Sequence, residues 1–303
     1  MANVAIITDD PGWHGKRLKE ALAREGHDAH CLSLTQCSLS LGDSGLPVIM
    51  PGFERDLPDA VFVRGVPGGS LEQVVLYLDV LHALKRLGRL VYNDGQAIER
   101  TVDKGMTSFI LRQAGVPTPP AWITSDREKA LAVSRHELAR GHRLVSKPLF
   151  GSQGKGLKRY DRPQDLEDLV DDNGVFYLQR YVHSGDKSHD FRVFVIAGKA
   201  VAAMQRSGIT WLNNVHQGAE CAPVNLKEMR LGRLAEEAVR ALDMHYAGVD
   251  IIQEAGGRCT VLEVNSIPAW KGLQGVCEVD IARLLVRDFL SLSALGVTPA
   301  QVS

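Results

Sequence analysis

The stretch AGVDIIQEAGGRCTVLEVNS, residues 247–266, holds two short apolar runs joined by Gly256-Gly257. Runs rich in Val and Ile read as strands, and a Gly-Gly pair between them reads as the two-residue turn of a β-hairpin. With the two glycines at the centre of a type I′ turn, Ala255 faces Arg258 and Asp250 faces Glu263. Asn265 follows Glu263 on the same face, because side chains alternate with period two. Facing residues lie about 5 Å apart, and like charges so placed repel. A solvated strand face is the plain alternative, but Val249, Ile251, Val261, Leu262 and Val264 flank these polar groups. A hard cation such as Mg²⁺ turns the repulsion into binding, since it takes carboxylate and amide oxygens and completes its shell with phosphates. The hairpin therefore asks for a nucleotide.

The rest of the chain supplies a fold for such a hairpin. VAIITDD (residues 4–10), DAVFVRG (59–65) and RLVYND read as strands, and HGKRLKEALAREGH and SLEQVVLYLDVLHALKRLG read as helices between them, with Ser70 as a cap and Gly26 and Gly88 as stops. Alternating strands and helices predict a parallel sheet. No GxGxxG follows the first strand, so this Rossmann-like pattern carries no case for a dinucleotide. AIERTVDKGMTSFILRQAG, residues 97–115, reads as one helix, and VPTPP after it enforces an extended connection. A second unit begins near Gln96. PQDLEDLVDD then reads as a helix, VFYLQRYV as a strand, HDFRVFVIAGKAVAAMQRSG as a hairpin turning near Gly198, and MRLGRLAEEAVRALDM as an amphipathic helix.

KPLFGSQGKG places Gly151, Gly154 and Gly156 after Lys147. It is not a Walker A loop, because Leu157 follows Gly156 where Lys and Ser/Thr are required. Glycines still let backbone N–H groups approach a polyphosphate closely, although an ordinary turn has the same composition. Lys147 lies on an apolar strand running into that loop, where an ammonium meets phosphate rather than water. DFRVFV puts Asp190 and Arg192 on one strand face, and Arg206 and Asn214 follow. Asp190 can accept from a ribose hydroxyl, while Arg192 and Arg206 can neutralise phosphate or a carboxylate. A cross-strand ion pair is the competing reading of the same residues.

The order of these features resembles the ATP-grasp fold, most of all the RimK-type α-L-glutamate ligases, over nearly the whole chain. The resemblance implies an α/β (α+β) chain: a Rossmann-like pre-ATP-grasp domain over residues 1–95, a central ATP-grasp subdomain with the glycine-rich loop over 96–182, and a C-terminal subdomain with the metal site over 183–303. In the family, residues matching Lys104 and Lys147 hold ATP phosphates, helped by a loop matching Gly151, Ser152, Gln153 and Gly154. Those matching Gln179, Arg180, Tyr181 and Val182 form the hinge over adenine, and the one matching Asp190 meets the ribose. Those matching Asp250, Glu263 and Asn265 bind two Mg²⁺ or Mn²⁺ ions. Arg192, Arg206 and Asn214 are the catalytic candidates.

Two positions depart from the family. Arg180 stands where RimK-type proteins carry Glu, and no Arg precedes Asn214 in WLNNVH. VRGVPGGSLEQ and NSIPAWKGLQG resemble the subgroup linked to tetrahydromethanopterin-type cofactors. The implied activity is an ATP-dependent carboxylate–amine ligase that adds glutamate or another amino acid to a small molecule. A protein-modifying glutamate ligase and a non-catalytic nucleotide-binding module are the alternatives.

The chain of 303 residues has 35 basic and 36 acidic side chains and a net charge of −1. That balance gives no electrostatic case for a nucleic-acid or membrane-surface partner; the resemblance implies ATP and small amino-acid and carboxylate substrates. Homo-oligomerisation is left open. The five cysteines form no CxxC pair and are odd in number, so reduced thiols in a cytoplasm are expected.

Overall fold

The computed structural model describes residues 2–42, 45–151, 156–185, 188–208, 220–226, 230–254 and 256–293. They fall into two units, residues 1–98 with 267–274 and 278–303, and residues 99–266 with 275–277.

The first unit opens with β1 (Asn3–Ile7), α1 (Gly12–Arg24) and β2 (Asp28–Leu32), followed by the short antiparallel pair β3 (Ser38–Leu39) and β4 (Val48–Ile49). Next come β5 (Ala60–Val63), α2 (Leu71–Arg86), β6 (Leu90–Tyr92) and α3 (Gly95–Val102), inside which the division between units falls. The main sheet is parallel, in the order β2-β1-β5-β6. Val4 to Ile7 are fully buried because a central parallel strand is covered on both faces. Helix α1 buries Leu18, Ala21 and Leu22, and the chain turns away at Gly26 with φ +81°. Ser70 and Gln73 form the reciprocal capping box of α2. These elements make the expected Rossmann-like unit.

The second unit holds α4 (Lys104–Gln113), β7 (Ala121–Thr124), α5 (Arg127–Ala139), β8 (Leu144–Ser146), β9 (Lys158–Tyr160) and β10 (Phe176–Arg180). It continues with β11 (His189–Ile196), β12 (Lys199–Ser207), β13 (Glu220–Pro223), α6 (Leu231–Ala241), β14 (Tyr246–Gln253) and β15 (Cys259–Asn265). Two antiparallel sheets result, β7-β10-β8-β9 and β13-β12-β11-β14-β15. The chain then returns to the first unit as α7 (Lys271–Gln274) and α8 (Ile281–Leu292), where Phe289 packs against Phe62 and Tyr92.

Three local expectations give way. The helix read over residues 97–115 is two helices, because Asp103 leaves the helical conformation and its carboxylate accepts from the N–H groups of Gly105 and Met106. An acid able to cap is a helix start as well as a helix residue. Within PQDLEDLVDD the helical segment is a six-residue 3₁₀ helix, Pro163–Asp168, rather than an α-helix. In the last hairpin, Glu254 faces Arg258, through its N–H to Arg258 O, and Gly257 takes φ +81°; Ala255 lies outside the described residues. The loop is therefore one residue longer than a type I′ turn, which shifts Ile251 opposite Val261. A bulge at Leu262 restores the register, so Asp250 does face Glu263. Two positive-φ residues do occur together in the other hairpin, at Ala197 and Gly198, the conformation of a type I′ turn.

Candidate active site

Because Asp103 caps α4, Lys104 becomes that helix's first residue, and its Nζ donates to Gly151 O at 2.7 Å. Lys147 follows β8, and its backbone N–H bonds to Tyr177 O on β10. Its Nζ is buried and donates to Gln179 Oε1 at 2.7 Å, Gln179 Nε2 donates to Tyr177 Oη at 3.2 Å, and Ser108 Oγ lies 2.8 Å from the same hydroxyl. Tyr177 and Gln179 are two apart on a strand and so share a face. Burial lowers the Lys147 pKa to about 8, with Lys104 acting in the same direction and Glu263 and Asp250 opposing it. Burial also lowers Lys104, against Glu263, Asp172 and Asp103. Lys104, Lys147, Ser108, Tyr177 and Glu263 line one pocket.

The acids come from the five-stranded sheet. Arg206 on β12 faces Asp190 on β11, and Arg192 on β11 faces Asp250 on β14. Arg192 grips Asp250 with two bonds, Nε to Oδ1 at 2.8 Å and Nη2 to Oδ2 at 2.7 Å. Arg206 bridges both acids, with Nε 2.6 Å from Asp190 Oδ1 and Nη2 3.1 Å from Asp250 Oδ2. Burial alone would raise Asp250, yet the two guanidinium groups hold it down to about 2. Asp190, also buried, is raised by burial to about 6 against the pull of Arg206. The cross-strand ion-pair reading of Asp190, Arg192 and Arg206 is thus the arrangement present.

Glu263 differs from its neighbour. It makes no hydrogen bond or ion pair among the described residues, and Asn265 Nδ2 is buried without a partner. An uncommitted carboxylate and an orphaned amide on one strand fit a cation, because rotating the amide presents its oxygen. Among the described residues no group of three or more His, Cys, Asp or Glu side chains is preassembled, so any cation here needs further oxygens from elsewhere, as a phosphate-bound ion does.

Of the other expected residues, Gly151 is exposed beside Lys104. Ser152, Gln153, Gly154 and Asn214 lie outside the described residues. Tyr181 donates its N–H to Arg143 O and carries Arg159 over its ring at 5.2 Å; Val182 follows it. Arg180 Nε donates to Glu137 Oε2 at 2.5 Å. Glu137, on α5, is 3% exposed, and Arg180 holds its carboxyl below the usual range, against burial. The sequence reading did not single out Glu137, Tyr177 or Ser108. An acid between Ser134 and Leu138, on the buried face of a helix, was the signal for Glu137, since a buried acid requires a partner.

Residues 2–98 match the RimK PreATP-grasp domain and residues 101–289 the RimK-like ATP-grasp domain. The chain is 33% identical to the tetrahydromethanopterin:α-L-glutamate ligase of Methanococcus maripaludis over 298 residues, 95% of this chain and 98% of that protein. It is 29% identical to a probable α-L-glutamate ligase of Saccharophagus degradans, with 96% of each covered. In fold it is similar to the ATP-grasp ligase PsnB complexed with minimal precursor, with TM-score 0.72, 22% identity, and 96% and 99% of the two chains covered. D-cycloserine synthetase DcsG gives TM-score 0.68 at 20% identity, covering 95% of this chain and 99% of that one.

Proposed function

This chain belongs to the RimK-like ATP-grasp family and is an ATP-dependent carboxylate–amine ligase, and from that premise we propose that it adds glutamate, or another amino acid, to a small-molecule acceptor in cofactor biosynthesis. The observation that carries the site is the convergence of Lys104, Lys147 and the uncommitted Glu263 on one pocket. The full-length similarity to tetrahydromethanopterin:α-L-glutamate ligases supports the acceptor class.

In this reading a carboxylate oxygen of one substrate attacks the γ-phosphorus of ATP. The new O–P bond forms as the bond to the β-phosphate oxygen breaks, and ADP leaves. The amine nitrogen of the second substrate then attacks the acyl carbon, the C–O bond to phosphate breaks, and phosphate departs as the nitrogen loses its proton. Lys104 and Lys147 would hold phosphate oxygens, helped by Gly151, Ser152, Gln153 and Gly154. Asp250, Glu263 and Asn265 would hold Mg²⁺ or Mn²⁺, which neutralises phosphate charge. Arg192 and Arg206 set the Asp250 carboxylate and, with Asn214, would steady the transferred phosphate. The backbone of Gln179, Arg180, Tyr181 and Val182 reads adenine, and Asp190 takes the ribose. Arg180 is held by Glu137, which removes its side chain from base recognition.

We place a boundary between two subdomains near residue 182, a reading supported by its position between β10 and β11. No helix among the described residues is long and apolar enough to cross a membrane; with five free cysteines, we place the protein in the cytoplasm. The test is mass spectrometry of a cell extract given protein, ATP and labelled glutamate. A labelled amide supports the small-molecule reading. Label confined to polypeptide would move the assignment to a protein-modifying ligase.

A further inference from the structure

In the first unit the strand order turns about β1 and β5, since the chain passes from β1 outward to β2 and then back to the other side. Open parallel sheets bind ligands in the crevice beyond the carboxyl ends of strands at such a reversal. Arg64 stands there, its N–H bonded to Ile7 O at 2.8 Å. Its guanidinium lies 4.7 Å from the centre of the Trp270 ring, and Nη1 donates to Pro268 O at 3.1 Å. Arg64 Nε is buried and has no acceptor among the described residues.

The neighbours of Arg64 do not neutralise it. His14 Nε2 accepts from the N–H of Trp270 at 3.1 Å, so the neutral ring carries its proton on Nδ1 and offers a donor. Burial, then Arg64, then Lys271 lower His14 to about 4, and the opposing effect of Asp10 is smaller. Cations therefore outweigh acid at this place. Arg17, one turn further along α1, is already committed to Asp280 at 3.0 Å. Arg64 and Lys271 make no ion pair among the described residues. A buried guanidinium N–H without an acceptor, beside a neutral histidine that offers a further donor, calls for an anion with hydrogen-bond acceptors.

We propose that Arg64 and His14, with Lys271 next to Trp270 in the chain, form a binding site for a substrate carboxylate at the strand reversal of the first unit, flanked by Trp270 and by Trp13, whose ring lies 6.3 Å from that of Trp270. The assignment to a substrate rests on the ligase reading: such an enzyme must neutralise carboxylates that it does not activate. A guanidinium fixed on an indole ring presents a preset fork of donors to an oxyanion, and the ligase reading selects a carboxylate over a phosphate for it.

In a Trp122→Phe, Trp211→Phe background, where Trp13 and Trp270 are the remaining two of the four tryptophans, intrinsic fluorescence reads the site. L-glutamate and glutarate should change the emission saturably in that background, and the midpoint should rise at least tenfold in Arg64→Met and in Lys271→Met. Lys271 is exposed, so its variant tests the site without disturbing packing. In the coupled assay KM for the carboxylate-bearing substrate should rise similarly, with KM for ATP unchanged. Unaltered midpoints and KM in Lys271→Met and Arg64→Met overturn the proposal. So does inorganic phosphate binding as tightly as glutarate, which would make the site a general anion cradle. If the wild-type protein fails to release ADP with any amino acid, the ligase reading falls, whereas the fluorescence titration still decides whether the site exists.

Discussion

Lys147 and Glu263 carry opposite charges into one pocket, and each makes a separable prediction. Lys147→Ala removes a charge-assisted bond to phosphate, worth about 1.5–3 kcal/mol, so ATP should bind about 10- to 100-fold more weakly while adenosine binds as before. Isothermal titration with both ligands checks this, and equal losses would make Lys147 structural. With its pKa lowered to about 8, Lys147 is charged below that value and loses its proton as pH rises through it. ATP affinity should therefore fall from pH 7 to 9 in the wild-type protein, and Lys147→Arg should flatten that limb. Glu263→Gln keeps size and hydrogen bonding but removes charge, and turnover at ordinary Mg²⁺ should be abolished with the far-ultraviolet circular dichroism unchanged. Turnover near the wild-type level would count decisively against a cation at that position. That Asp250 and Glu263 face each other was expected from the spacing and is the pairing present, by way of a longer loop and a bulge. Their different circumstances were not legible, because Arg192 and Arg206 reach Asp250 through strand neighbours separated from it by more than forty residues.

At the scale of elements, the last hairpin shows how a correct pairing can rest on an incorrect turn. The type I′ reading omitted one loop residue, and the bulge at Leu262 cancelled the omission before the acids were reached. Gly-Gly dipeptides suit several loop lengths, since a positive φ is needed in each; only the partner strand decides. The helix over residues 97–115 failed for a related reason. Apolar periodicity continues through Asp103, and the break comes from a side chain that satisfies backbone donors locally. Asp103→Ala should cost about 1 kcal/mol of stability, measured by urea denaturation. It should also weaken ATP, because Lys104 is placed by that cap. A variant with lowered stability and unchanged ATP affinity would separate the cap from the phosphate site. Strands β1, β5 and β6 and helices α1 and α2 of the first unit were legible, because parallel β–α alternation leaves continuous apolar runs between glycine stops; β2, an edge strand of mixed exposure, and the two-residue strands β3 and β4 carried no such signal.

Across the molecule, the family and its ligase chemistry followed from the order of a few polar residues on an otherwise apolar frame. The return of residues 267–274 and 278–303 to the first unit had no local signal, since α8 reads as any amphipathic helix and its destination is set by packing against Phe62 and Tyr92. Arg180 illustrates the same limit. In sequence it is a charge reversal at the hinge, while in the fold it is the partner of the buried Glu137. The central claim is that a carboxylate is activated by the γ-phosphate and trapped by an amine. Its most direct measurement follows nucleotide and amide together, with labelled glutamate, ATP, Mg²⁺ and a cell extract as the acceptor source. The account predicts one ADP and one phosphate for each labelled amide, with both absent when either glutamate or acceptor is withheld. Release of AMP and pyrophosphate in step with the amide, or ADP formation indifferent to glutamate and acceptor, would contradict it.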